Sequence, residues 1–119
     1  MRALACPRQL PKAGLSCHRM SDTLRVACVQ LTSRDDKAAN IEKAEQLVAR
    51  AAATGADVVV LPEKWNAIGN PEVLYGAAEM LEDGESIQAM AGWASTHGIT
   101  LVGGSITARR EGRDKLSNT

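Results

Sequence analysis

Glu63 is the residue of this chain best placed to do chemistry. It directly follows Val58-Val59-Val60-Leu61-Pro62, a short apolar and mostly β-branched run closed by a proline. Such a run reads as a central buried strand, and the proline stops it because it has no N–H to give the ladder. In open α/β sheets ligands bind beyond the carboxyl ends of the strands, so a carboxylate at that point is held where a substrate would lie. Apolar strand ends around it would shield it from water and suit it to the work of a general base. The bland alternative is an exposed loop glutamate. Trp65, two residues on, either walls a pocket or closes the core, and the core is the preferred reading.

The other chemically capable residues carry weaker signals. Cys28 lies in a strand-like run without a His or acid partner in sequence, and reads as a small buried hydrophobe. Cys6, Cys17 and Cys28 make an odd, irregularly spaced set, neither a disulfide framework nor a zinc site. His97 precedes Gly98 at a helix end, where its expected role is to meet the last carbonyls and the helix dipole. Gly103-Gly104 falls inside a strand-like run and not in a strand-to-helix turn. It therefore marks close backbone packing or a bulge and not a phosphate loop.

The elements that must position Glu63 follow from periodicity. Residues 24–31 read as a strand with apolar residues in both alternating sets, suited to cover on both faces. Residues 32–36, Thr-Ser-Arg-Asp-Asp, form a polar loop that supplies a helix cap. A helix then runs from Lys37 to about Ala53, with Ile41, Ala44, Val48 and Ala51 on one stripe and Leu47 beside it; Gly55 ends it. The stretch from Trp65 to Glu82 is ambiguous, with a turn at Gly69-Asn70-Pro71 and a short helix over 72–80. Residues 85–97 read as a helix facing inward through Ile87, Met90, Ala91 and Ala94, and residues 99–106 as a third strand. Residues 109–114 form a hairpin loop, and 116–119 open a fourth strand. Strand, helix, strand, helix, strand is an α/β order.

Composition bounds the function classes. The chain has 119 residues, 45% hydrophobic and 24% charged, with Trp65, Trp93 and Tyr75 as its aromatics and no Phe. It is one domain or a piece of one. No apolar run approaches the ~18 residues of a membrane span. A formal net charge of zero argues against binding nucleic acid through bulk phosphate attraction. The charge is uneven, however: residues 1–20 carry Arg2, Arg8, Lys12 and Arg19 without an acid, and the remainder carries an excess of four acids. This leader, with Pro7, Pro11 and Gly14, is expected to be disordered. It reads as a basic targeting peptide or as translated sequence upstream of a start at Met20; the prolines, which spoil an amphipathic helix, favour the second.

Several segments taken together resemble the start of the carbon–nitrogen hydrolase (nitrilase) superfamily. They are Arg25-Val26-Ala27-Cys28-Val29-Gln30, Asn40-Ile41 in a helix, and Gly55-Ala56-Asp57-Val58-Val59-Val60-Leu61-Pro62-Glu63. Gly84-Glu85-Ser86, residues 98–106 and Lys115-Leu116-Ser117-Asn118-Thr119 continue the match in order, so that it covers residues 24–119. Gly103-Gly104-Ser105-Ile106 is most similar to the omega-amidase-like branch.

The resemblance implies an α/β fold, the N-terminal part of a four-layer α-β-β-α sandwich, with residues 24–119 an incomplete hydrolase domain. It implies a thiol hydrolase acting on a small-molecule amide or nitrile with release of ammonia. A glutamate serves as general base to a cysteine, and a lysine stabilises the tetrahedral intermediate. Glu63 matches the glutamate. The family lysine and cysteine lie beyond the Asn-Thr segment, and Lys64, Lys115 and Cys28 match neither. The chain alone is thus expected to be inactive, and as a fragment to expose the sheet face that a second sheet would cover. Neither a metal nor an organic cofactor is implied, nor nucleic-acid or membrane binding. A homo-oligomer at full length and a cytoplasmic location are expected. The rival reading is a non-catalytic α/β fragment or interaction module that kept part of the fold. A flavodoxin-like binding domain is weaker still, because the acidic loop after the first strand does not welcome an anion.

Overall fold

Short apolar runs with β-branched residues favour strands, and three such runs of this chain pair side by side. The computed structural model describes residues 23–119; the expectations for the leader, with Cys6 and Cys17, lie outside the described residues. β1 (Val26–Cys28), β2 (Val58–Val60) and β3 (Thr100–Val102) form a parallel sheet in that order. Val59 pairs with Ala27 on one side and Leu101 on the other. Hydrogen bonds continue beyond the ladder at its carboxyl end, from Val29 N–H to Val60 O and from Leu61 N–H to Val102 O, both 2.9 Å.

Parallel neighbours need crossovers, and helices supply them. α1 (Lys37–Ala53) joins β1 to β2; α2 (Pro71–Ala77) and α3 (Glu85–His97) lie between β2 and β3. α1 starts where the loop reading put its cap: the Asp36 carboxylate accepts from Ala39 N–H at 3.0 Å. α2 is capped likewise by Asn70, which accepts from Val73 N–H at 3.0 Å, with Pro71 just inside the helix. Gly98, left-handed at φ +62°, ends α3. His97 is exposed in the last turn, and it is the Gly98 N–H that caps, by donating to Ala94 O. A two-stranded antiparallel ribbon, β4 (Thr107–Ala108) and β5 (Ser117–Asn118), completes the described residues.

α1 and α3 pack on each other and on one sheet face. That face presents Ala27, Val59 and Leu101 to a core of Val48, Trp65, Trp93 and Ile106. The inward stripe of α1 is Asn40, Ala44 and Val48, with Ile41, Leu47 and Ala51 packed at its edges. α3 packs Ile87 and Met90 against the core as expected, but it also buries Ser86 and Trp93 and leaves Ala91 exposed, which corrects the expected stripe at Ala91. The reason is area: burying the Trp93 indole against Trp65 removes far more apolar surface than an alanine would.

The expected strand over 99–106 is broken after Val102. Gly104 takes φ +62°, and a Cβ there would run into the Pro62 carbonyl and lie 2.7 Å from Leu61 O. Close backbone packing thus explains the glycine. Gly104→Ala should lower the unfolding free energy by roughly 2 kcal/mol or more, read as a lower urea midpoint, because it adds left-handed strain to a backbone collision.

The opposite sheet face is bare. β1 was expected to be covered on both faces, yet Val26 is 54% and Val102 47% exposed, and Cys28 is exposed instead of buried. Among the described residues no layer lies over Val26, Cys28, Val58, Val60 and Val102, which alternate with the core-facing set. The isolated chain should therefore self-associate, with light-scattering mass rising with concentration. The double change Val26→Lys and Val102→Lys should restore a monomer. A monodisperse monomer of the unmodified chain at high concentration would contradict this. Among the described residues no helix is long and apolar enough to cross a membrane.

Candidate active site

Where β2 ends, the backbone must reverse around a proline, and that reversal is clamped from both sides. Glu63 and Lys64 form the turn, and Lys64 adopts φ +48°, a left-handed conformation that costs a non-glycine residue about 1–2 kcal/mol. Neighbouring segments hold it there. Lys64 N–H donates to Ser105 Oγ at 3.1 Å, and Trp65 Nε1–H to Gly103 O at 2.9 Å. Both acceptors belong to the segment following β3. From the segment following β1, Ser33 Oγ donates to Trp65 O at 3.0 Å, while Arg34 O accepts from Ile68 N–H at 3.0 Å.

Behind the turn lies a buried polar cluster. Asn66 is fully buried; its backbone carbonyl accepts from Asn40 Nδ2 at 3.0 Å, and its side-chain amide N–H donates to Ser86 Oγ at 3.2 Å. Asn40 also closes the loop before α1: it accepts from Arg34 N–H at 3.0 Å and donates to Arg34 O at 2.8 Å. Glu79 is 8% exposed, accepts from Ser86 N–H at 3.0 Å and forms an ion pair with Lys37. Its carboxylate thus caps the start of α3, where the helix dipole favours negative charge. With both oxygens engaged by Ser86 N–H, Glu79 is a structural anchor and not a free base.

Glu63 stands at the carboxyl rim of the sheet, as its place after β2 requires. The structure corrects its expected shielding: the side chain is exposed. The turn carries it past the last ladder bond, at Leu61, to a rim that no described residue closes over. It is nonetheless held, because Oε1 accepts from Asn118 Nδ2 at 2.7 Å, from a residue 55 positions away. Among the described residues no lysine ammonium pairs with Glu63, and Cys28 makes no hydrogen bond to it. Nor do they hold a group of three or more His, Cys, Asp or Glu that could bind a metal ion.

Trp65 closes the core, as preferred from sequence, but its N–H also ties the turn to Gly103. Sequence reasoning missed Asn40, Asn66, Ser105 and Asn118 as site-building residues. Asn40 carried a readable signal: it precedes Ala44 and Val48 at four-residue spacing, so it lies on the apolar stripe and needs buried partners. Asn118 carried none, because its partner is brought to it only by the fold.

Comparison with known proteins agrees with this architecture. The family model described as carbon–nitrogen hydrolase matches residues 25–119. The omega-amidase NIT2 of Danio rerio is 44% identical over 95 residues, covering 80% of this chain and 33% of that protein. The chloroplastic omega-amidase of Arabidopsis thaliana is 33% identical over 98 residues, covering 79% of this chain and 26% of that protein. The crystal structure of Saccharomyces cerevisiae Nit3, of branch 10 of the nitrilase superfamily, superposes with a TM-score of 0.71 at 30% identity. It covers 80% of this chain and 37% of Nit3. The chain thus spans about a third of the length of the curated relatives it matches.

Proposed function

The chain belongs to the carbon–nitrogen hydrolase family, and from that premise we propose that it forms the first third of a thiol-dependent hydrolase that cleaves a terminal (ω) amide and releases ammonia. The observation that carries this reading is Glu63. A carboxylate on a clamped turn at the carboxyl rim of a parallel sheet sits where such sheets bind their ligands. Its role is to take the proton from a cysteine thiol. The thiolate then attacks the amide carbon, the C–N bond breaks as the leaving nitrogen takes up a proton, and water hydrolyses the thioester to the acid. The thiol and the charge-stabilising lysine come from the two thirds of the relatives' length that this chain does not span. The chain alone is therefore inactive in this reading. An ω-amide is favoured over a nitrile by the omega-amidases among the relatives.

A second reading, a non-catalytic module that docks a partner, is favoured by the bare sheet face. Ammonia release from succinamate, a four-carbon ω-amide, separates the two. The protein encoded by the whole reading frame should turn it over, and the same protein carrying Glu63→Gln should not. A folded whole protein without ammonia-releasing activity on amides or nitriles would support the docking module.

A further inference from the structure

Resting on that reading, we propose that Asn118 is the positioning residue of the general base. It orients the Glu63 carboxylate by donating to Oε1 and leaves Oε2 free to receive the thiol proton. The bond is short, 2.7 Å, and joins segments 55 residues apart. Both ends are held independently. Glu63 is fixed by the turn bonds to Ser105 and Gly103. Asn118 is fixed by the ribbon, where β5 places it opposite Thr107 and Ser117 opposite Ala108. Beyond that pair, Ile106 N–H donates to Thr119 O at 2.8 Å, and Thr119 N–H donates back to Ile106 O at 3.0 Å. The ribbon's inner strand is buried, with Thr107 at 5% and Ala108 at 0% exposure. It is also tied to the segment carrying Glu79, since Arg109 N–H donates to Glu79 O at 2.8 Å.

The chemistry of the donor explains the choice of residue. A carboxylate has two oxygens with room for several hydrogen bonds, so one engaged oxygen still leaves a site for a proton. A lysine or arginine in this place would pair with the carboxylate charge and hold its proton-accepting lone pairs. A neutral amide orients the group without neutralising it. An exposed glutamate without such a donor would sample several rotamers, and only some would aim at a reacting thiol. Losing the donor should therefore slow the chemical step and leave substrate binding alone.

The test is kinetic, on the protein of the whole reading frame with succinamate as probe. Asn118→Leu keeps the branched shape of the side chain and removes the donor. It should lower kcat by about 20-fold or more while KM stays within about twofold, the signature of a contact that matters in the transition state. Adding Asn118→Leu to Glu63→Gln should cost nothing further, because Asn118 acts through Glu63. If Asn118→Leu keeps wild-type kcat while Glu63→Gln is inactive, the positioning role is overturned and the function stands. If Glu63→Gln itself turns over normally, both fall. Should Asn118→Leu fail to fold, the side-chain amide resonances of Asn118 in the 15N-labelled protein decide. They should shift on Glu63→Gln substitution, and unmoved resonances would overturn the contact.

Discussion

Glu63→Gln should cost the whole protein roughly 10³-fold or more in turnover of an ω-amide, within the range by which general bases contribute. The substitution is close to isosteric. The side-chain carbonyl oxygen of a glutamine can still accept from Asn118, so the turn and its 2.7 Å contact can persist. What is lost is the ability to take a proton at neutral pH, because an amide oxygen is not a useful base. Glu63 is exposed and belongs to no buried cluster, so the thermal midpoint should move little. The combination of a lost rate and an unchanged midpoint distinguishes chemistry from folding. Ammonia release by the variant at the wild-type rate would remove Glu63 from the mechanism.

Trp65→Ala should have the largest effect on stability. Trp65 is completely buried, and its ring packs tilted against Trp93 with centroids 5.9 Å apart. Truncating a buried Trp to Ala costs about 3–5 kcal/mol through lost transfer energy and the cavity left behind. The change also removes the donor to Gly103 O, and losing this part-buried hydrogen bond adds about 1 kcal/mol. Small domains hold only about 5–15 kcal/mol in total, so Trp65→Ala should remove a large fraction of the stability of the chain. Far-ultraviolet circular dichroism and the urea midpoint read this directly. Trp65→Phe separates the two contributions: it keeps most of the apolar area and loses the N–H. Its cost should be near that of the hydrogen bond alone, with the turn at Lys64 loosened as the visible consequence. A Trp65→Ala chain with a wild-type urea midpoint would show that the indole does not hold the turn.

The bounds of α1 and α3 were legible because both carry local stop signals. Asp36 caps one helix, while Gly55 and Gly98 adopt positive φ just beyond the two helix ends. The position of Glu63 at the end of a buried strand was legible for a similar reason, since a β-branched run closed by proline leaves little choice. The break after Val102 was less visible. Its glycine pair announces either packing or a bulge, and only the approach of the Pro62 carbonyl shows which. The inward face of α3 was legible at Ile87 and Met90 but misread at Ala91 and Trp93, because alanines fit either side of a helix, whereas Trp93 follows its partner Trp65, which comes from another part of the chain.

Order, polarity and local stops are encoded within a few residues of where they act. From them come the α/β class, the parallel crossovers and the glutamate at a strand end. Two matters depended on residues far apart in sequence. One is the bare face of the sheet, where Val26, Cys28 and Val102 alternate with core residues yet meet no covering layer among the described residues. The other is the bond from Asn118 that holds Glu63 at an open rim. Neither burial nor a contact across 55 residues is a property of a short segment. Both arise only when separated elements are brought together, which is why tertiary structure decided them.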